Sequence, residues 1–347
     1  MPVELAAFTD IEAVAVDAAG ALDRARQPSL FDRLDWYRLV VSHCPPAGSP
    51  LIVRARDGAS VAWLFLSRQG RGAAALANWY SLRTGLVSSG PPAPALAEAI
   101  GRYLRSSLHL ALIDLAPLPP DQADLLEQPF RKAGWIGLRS TATSNWRVRT
   151  EGMDWQQFLK ARPSQLRNTI RRKENASPLQ IDIIDRFDAH IWRSYEDIYK
   201  QSWKPSEGSP LFLQALAEAE SKAGTLRLGL AVLNGEPVAA QFWLVDNDEA
   251  TIHKLAHRES HRAHSPGTVL SAAMFRHAIE VDKVRLIDFG TGDEPYKEHW
   301  MDEVRPLYRL RLHNPATLKG ATGALRDTLS AARAKVRRAR QTGRKMS

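Results

Sequence analysis

Leu226 to Val245 reads LRLGLAVLNGEPVAAQFWLV. Two apolar runs, Leu226–Leu233 and Pro237–Val245, flank Asn234-Gly235-Glu236, a tight-turn signal that closes an antiparallel hairpin. Downstream, Ala250–Ala256 continues as a strand, Thr268–Val281 has apolar residues at helical spacing, and Arg285–Phe289 is a short buried strand. Pro306–His313 then alternates as a strand does. Upstream, Trp155–Ala161, Pro163–Glu174, Ile191–Trp203 and Pro210–Ala223 have helical patterns.

The first half gives the same order more weakly. Phe31–Ser42 has a helical pattern, and Leu51–Arg56 and Val61–Leu66 flank the turn Asp57-Gly58. A strand is expected over Ala73–Tyr80, a helix over Pro92–Leu104 and a buried strand over Leu110–Leu115. A helix end at Phe130–Gly134 and a strand beginning at Trp135 complete the half. Strands and helices mix along both halves, so the expected class is α/β (α+β), and 347 residues suit two domains. The expected boundaries are 1–150, 151–315 and a basic helix or tail at 316–347.

Charge is unevenly placed. From Ala316 to Ser347 nine Lys or Arg residues face the single acid Asp327, a local +8, which leaves +1 of the chain's +9 for the first 315 residues. The body is therefore not a nucleic-acid footprint, and nucleic acid is not the expected partner. The tail is a basic arm suited to anionic lipid, RNA or an acidic partner, or a solubilising helix with no partner. The single cysteine, Cys44, excludes an intramolecular disulfide and any multi-cysteine metal site. Met1–Asp23 lacks a basic lead-in to an apolar run, and no apolar stretch reaches the roughly 18–20 residues that span a bilayer. The expected location is cytoplasmic, with peripheral contact to the inner membrane through the tail.

Three stretches carry a resemblance: LAVLNGEPVAAQFWLV (230–245), HRAHSPGTVL (261–270) and DFGTGDEPYKEHW (288–300). Together they resemble the GNAT superfamily, and more closely its FemAB-like branch, which includes cellulose-biosynthesis-type acetyltransferases. Asp288, Gly292, Asp293, Tyr296, Lys297 and Trp300 match that branch's D-x-x-x-G-D-x-x-Y-K-x-x-W pattern. The resemblance implies tandem GNAT-like domains with acyl-CoA as co-substrate. The donor would be bound and the chemistry done in the second domain, with a degenerate first domain on the acceptor side. It places the donor's pantetheine arm where two neighbouring strands splay, and the pyrophosphate on a loop leading into a helix.

That loop is Arg262, His264, Ser265, Gly267 and Thr268, a basic lead-in and flexible backbone before a helix start, where unpaired N–H groups favour phosphate. It departs from the commoner glycine-rich fingerprint, and Pro266 removes one donor. Read without the family, Ser265–Thr268 is a helix start with Thr268 as N-cap. Arg171, on the basic stretch Pro163–Glu174, is a second candidate for the phosphates.

Amine attack on a thioester needs a neutral amine, a stabilised oxyanion and a protonated leaving thiolate. Backbone N–H groups within Ile252–His257 are the candidate oxyanion donors. Asp288 and Asp293 are candidate carboxylates for the amine, Tyr296 for the thiolate, Lys297 for negative charge and His257 as a base. The bland alternative makes Asp293, Tyr296 and Lys297 a packing and salt-bridge cluster. Four histidines, His253, His257, His261 and His264, share one stretch, but a strand followed by a loop scatters them and no metal is expected. Trp203 is a candidate wall of the acceptor pocket, and Trp79 and Tyr80, after Asn78, are weaker ones.

The expected function is acyl transfer from acyl-CoA to an amine. That amine belongs to a lipid precursor, for instance a sphingoid base in ceramide synthesis, or to an amino sugar of a surface polysaccharide. A Fem-type aminoacyl-tRNA-dependent peptidoglycan ligase is the enzyme alternative. A non-catalytic GNAT-fold module bound to membrane or RNA is the other.

Overall fold

The computed structural model describes residues 3–91, 94–176 and 178–344, with side chains over 3–91, 94–173 and 178–333. The chain divides into two compact units, one formed by Met1–Thr143 with Pro306–Ser347 and the other by Ser144–Arg305. The expected break at 150 thus falls at 143/144, and the tail expected to stand apart belongs with the first unit.

In the first unit, β1 (Glu4–Phe8) is followed by α1 (Ile11–Ala18) and α2 (Leu34–His43). Next come β2 (Ser49–Asp57), β3 (Ser60–Gln69), β4 (Gly72–Ala75), β5 (Leu86–Ser89) and α3 (Pro94–Ser106). β6 (Leu112–Leu118) and α4 (Pro120–Lys132) lead into β7 (Ile136–Arg149), whose last six residues belong to the second unit. β2 and β3 form the expected hairpin, while β4 runs parallel to β6 through only Gly72↔Leu112, Ala73↔Ile113 and Ala74↔Asp114.

The strand expected over Ala73–Tyr80 stops at Ala75. Asn78 Oδ1 accepts the Tyr80 N–H at 3.0 Å, and Asn78 N–H donates to Ser81 Oγ at 3.1 Å, so the side chain closes a turn that competes with the ladder. The chain then closes back beside β6, where the Thr84 N–H donates to Pro117 O at 2.7 Å.

The second unit contains α5 (Trp155–Lys160), α6 (Ser164–Ala176), β8 (Leu179–Ile184), α7 (Ala189–Lys200) and α8 (Pro210–Lys222). β9 (Leu226–Leu233), β10 (Glu236–Asp246) and β11 (Glu249–His257) form an antiparallel meander, with β8 added beside β9. α9 (Pro266–Glu280) crosses to β12 (Leu286–Thr291), which is parallel to β11 and antiparallel to β7. α9 is apolar on the face that meets the sheet: Leu270, Met274 and Phe275 are buried with Trp243, Ile252 and Ile287 in one core.

β13 (Glu303–His313) then re-enters the first unit and pairs with β6 through Leu310↔Leu115 and Leu312↔Ile113. Both leucines are buried, which is why the C-terminal residues join this core. α10 (Leu318–Arg344) follows. Both units thus repeat a hairpin, a parallel partner and a crossover helix, a tandem mixed α/β arrangement.

Candidate active site of the second unit

The site begins where a ladder ends. β11 and β12 pair through Glu249↔Leu286, Ala250↔Ile287 and Thr251↔Asp288, and no ladder pair joins them beyond this point. β11 continues beside β10 as far as Ala239↔His257. β12 turns instead toward β7, with a register shift before Thr291↔Asn145. Asp288 fixes that shift: its Oδ1 accepts the Gly290 N–H and Asn145 Nδ2, each at 2.7 Å. Arg305 Nε in turn donates to Asn145 Oδ1 at 2.7 Å. Burial pushes the Asp288 carboxyl upward, opposed by the Gly290 and Asn145 hydrogen bonds and by the Arg305 and Arg147 charges. The strands part, and β11 keeps backbone groups facing the gap.

At the open end of β11 stands the start of α9. Ser265 takes a left-handed conformation at φ 53°, Pro266 is the first helical residue, and no side chain caps the turn. The N–H groups of Thr268 and Val269 both donate to Ser265 O, at 3.0 and 3.1 Å. Ser265 is therefore the N-cap residue, and Thr268 lies inside the helix. A Cβ on Gly267 would sit 3.0 Å from His257 Nδ1, so a bare backbone lets helix start and strand end approach. Lys173 Nζ donates to Ala263 O at 2.6 Å and ties α6 to the loop. No side chain caps this helix start, and Arg262, His264 and Lys173 lie on or beside the loop, an arrangement that favours an anion.

Charged side chains converge beside the gap. Lys297, only 3% exposed, donates to Thr291 O at 2.6 Å and pairs with Glu294 Oε2 at 2.8 Å. Burial alone would raise Glu294, but the Lys297 hydrogen bond and charge outweigh it and hold the carboxyl below its ordinary value. Lys254 pairs with Glu207 at 2.9 Å and lies 5.3 Å from the Tyr199 ring centre. Lys204 sits among these groups, 5.6 Å from the Trp203 ring centre. Burial pushes its ammonium down to about 8, Lys254 and Lys297 push the same way, and Glu294 and Glu207 oppose them. The His257 ring packs on Trp203 at 4.5 Å, and burial lowers its pKa, which favours the neutral imidazole, against the nearby Glu259 charge.

Residues 160–298 match the family model described as the acetyltransferase (GNAT) domain. This stretch is a GNAT acetyltransferase domain. The fold as a whole is shared with solved structures at low identity. The C-terminal domain (DUF2156) of a putative lysylphosphatidylglycerol synthetase from Agrobacterium fabrum is 15% identical, with a TM-score of 0.56 over 91% of this chain and 95% of that one. FemX is 11% identical, with a TM-score of 0.55 over 79% of this chain and 94% of its own. A tandem GNAT protein from the clavulanic acid biosynthesis pathway is 14% identical, with a TM-score of 0.51 over 89% and 98%. No curated protein matches the chain in sequence.

The GNAT domain gathers some of the expected site residues and separates others. His257, Gly267, Tyr296, Lys297 and Trp203 surround the gap and its mouth. Tyr296 packs edge-on against Phe289 at 5.7 Å, and burial with the nearby Glu294 raises its hydroxyl, which stays protonated. Asp293 is exposed, and the carboxylate on Lys297 is Glu294. Asp288 is a buried brace rather than an open base.

Arg262 and His264 are exposed on the loop, and Arg171 is exposed on α6, where Lys173 makes the tie to the loop. In the first unit Tyr80 is 3% exposed and belongs to that core, whereas Trp79 is 62% exposed. The four imidazoles are dispersed, and among the described residues no group of His, Cys, Asp or Glu is arranged to hold a metal.

Lys204, Glu207 and Lys254 are the residues of this group that sequence reasoning misses, whereas Lys173 lies in the basic stretch and Glu294 in the acidic loop that it singles out. Only Lys204 had a local signal, its place directly after Trp203. The others converge from separate elements and share no spacing. A small cleft between α7 and α8 opens beside this group, lined by Trp192, Tyr195, Tyr199, Glu207, Pro210 and Leu213.

Proposed function

We propose that the protein is an N-acyltransferase that takes its acyl group from a coenzyme A thioester bound in the second unit. The observation that carries this reading is the parting of β11 from β12 after three residue pairs, with the uncapped α9 start at its open end. In the first unit β4 and β6 also pair through three residues, and there the segment before β5 lies against β6 through the Thr84 N–H to Pro117 O hydrogen bond.

A thioester held there would supply an activated acyl carbon. The residues of this chain supply the rest. The α9 start, Arg262 and Lys173 receive phosphate. N–H groups of Ile252–His257 facing the gap donate to the developing oxyanion. Lys204 in its neutral form takes a proton from the acceptor ammonium, whose nitrogen then attacks. Tyr296, kept protonated by burial, donates to the departing sulfur as the C–S bond breaks, and its phenolate is restored by the proton that the nitrogen of the new C–N bond sheds. Asp293 is left outside this scheme, and Glu294 takes the place it was expected to fill beside Lys297.

The acceptor is an amine of a lipid precursor, a sphingoid base among them, or of a surface-polysaccharide amino sugar. The aromatic lining of the α7–α8 cleft, beside Lys254 and Glu207, favours the amphiphilic choice. A thermal-shift titration with coenzyme A, acetyl-CoA and palmitoyl-CoA tests the reading. At about 100 times its dissociation constant, a ligand that binds only the folded state adds roughly 2.7 kcal/mol. Stabilisation by palmitoyl-CoA beyond that by acetyl-CoA supports lipid N-acylation, and equal shifts support acetyl transfer to a sugar. No shift with any of the three overturns coenzyme A dependence and directs attention to aminoacyl-tRNA.

A further inference from the structure

α10 wears its apolar face on the outside. It docks on the first unit through Thr317, Gly320, Gly323, Ala324 and Asp327. A Cβ on Gly320 would collide with Asn314 O, and one on Gly323 would lie 2.9 Å from His313 Nδ1, so the small residues set how closely the helix seats. Thr317 Oγ1 donates to Asn314 O at 3.0 Å. Asp327 is held against His313 at 3.1 Å and also by Arg311. The docked face is therefore small and polar, the reverse of an ordinary surface helix.

Leu318, Leu325 and Leu329 lie on the opposite side, 84%, 64% and 49% exposed. At 3.6 residues per turn they fall within about 40° of one another, in one stripe along the helix. Lys319, Arg326 and Arg333, spaced seven apart and all exposed, follow one flank of that stripe. Arg326 touches Asp327 only weakly, at 3.5 Å, and the other two have no acid within the helix to neutralise them. In the sequence the same periodicity continues with Val336, Arg337, Arg340 and Arg344, whose side chains lie outside the described residues.

We propose that the leucine stripe of α10 lies in the surface of an anionic lipid bilayer, with Lys319, Arg326 and Arg333 meeting the headgroups. An outward apolar stripe edged by cations is the pattern of a helix lying in the plane of a membrane interface. No described helix is long and apolar enough to cross a membrane, so the contact is with the surface. A second copy of the chain would match leucine to leucine but crowd six cations along the seam. RNA would use the cations and leave the leucines in water. An anionic lipid surface satisfies both rows.

Flotation of the full-length protein tests this, with vesicles of phosphatidylcholine alone and of an equimolar mixture with phosphatidylglycerol. The wild type floats with the anionic vesicles and not with the neutral ones. A Leu318→Ser, Leu325→Ser, Leu329→Ser variant keeps its melting temperature, because these side chains touch no core, and loses at least tenfold in vesicle affinity. Arg326→Glu with Arg333→Glu loses the salt-sensitive part of binding. Three results overturn the proposal: a wild type that does not float, a leucine variant that floats as well as wild type, or a wild-type dimer in the absence of lipid that the leucine variant turns into a monomer.

Discussion

Lys297 Nζ stands 2.8 Å from Glu294 Oε2, and the two act on Lys204 with opposite sign. Lys297 disfavours the Lys204 ammonium and Glu294 favours it. If Lys204 works as the neutral base, kcat/KM rises with pH through about 8 as its proton leaves. Lys297→Met removes a like charge, so Lys204 keeps its proton to higher pH and the rising limb moves up. Glu294→Gln removes an opposite charge and moves the limb down. Profiles that shift the same way in both variants, or in neither, would remove Lys204 from the mechanism.

The contact between Gly267 and His257 gives a test of the phosphate site. A new Cβ at Gly267 meets His257 Nδ1 at 3.0 Å, so the ring must yield by a few tenths of an ångström for alanine and further for valine. Gly267→Val is expected to weaken coenzyme A binding about tenfold or more, because the helix start and the strand end can no longer close on the same ligand. Calorimetry measures this directly. Unchanged affinity in a folded Gly267→Val protein would move the donor elsewhere.

Tyr296 and Asp293 separate acid catalysis from loop packing. Tyr296→Phe keeps the ring against Phe289 and loses only the hydroxyl, so folding should hold while turnover falls by about 100-fold. Asp293 is exposed, and Asp293→Ala should stay within about twofold of wild type in rate and melting temperature. Wild-type turnover in Tyr296→Phe would leave the thiolate's proton to another donor.

The hairpin at Asn234-Gly235 is legible in the sequence because both its strands and its turn are local features. The helix after Pro266 is legible for the same reason, though its cap is not. Thr268 is the obvious capping type, but Pro266 fits the first helical position and Ser265 supplies the left-handed entry. Tyr80 looks like a pocket aromatic, yet the Asn78 turn draws it into the core. The lysine cluster is not legible at all. Lys204, Lys254 and Lys297 lie on a loop, a strand and a turn, and only the folded chain brings them together. β13 is visible as a strand, but its place in the first unit follows from pairing with β6 across a separation that no local pattern reports.

Arg162 fixes the chain just beyond the site. Its guanidinium is buried, donates to both oxygens of Asp302 at 2.6 Å and to Trp300 O at 2.8 Å, and lies over the Phe158 ring at 4.7 Å. Trp300 packs on Phe275 of α9 at 4.7 Å, so this knot joins the end of the Pro295–His299 turn to the helix that begins at Pro266. Asp302→Ala leaves the buried cation with only carbonyl partners. Because the Asp302 side chain is itself more than half exposed, the loss falls toward the low end for a broken pair, about 2–3 kcal/mol. Arg162→Met removes the charge together with its desolvation cost and should destabilise less than Asp302→Ala. Urea unfolding of the two variants decides the point: if Arg162→Met costs more, the guanidinium contributes chiefly through its hold on Trp300 O and Phe158, and the charge pair is secondary.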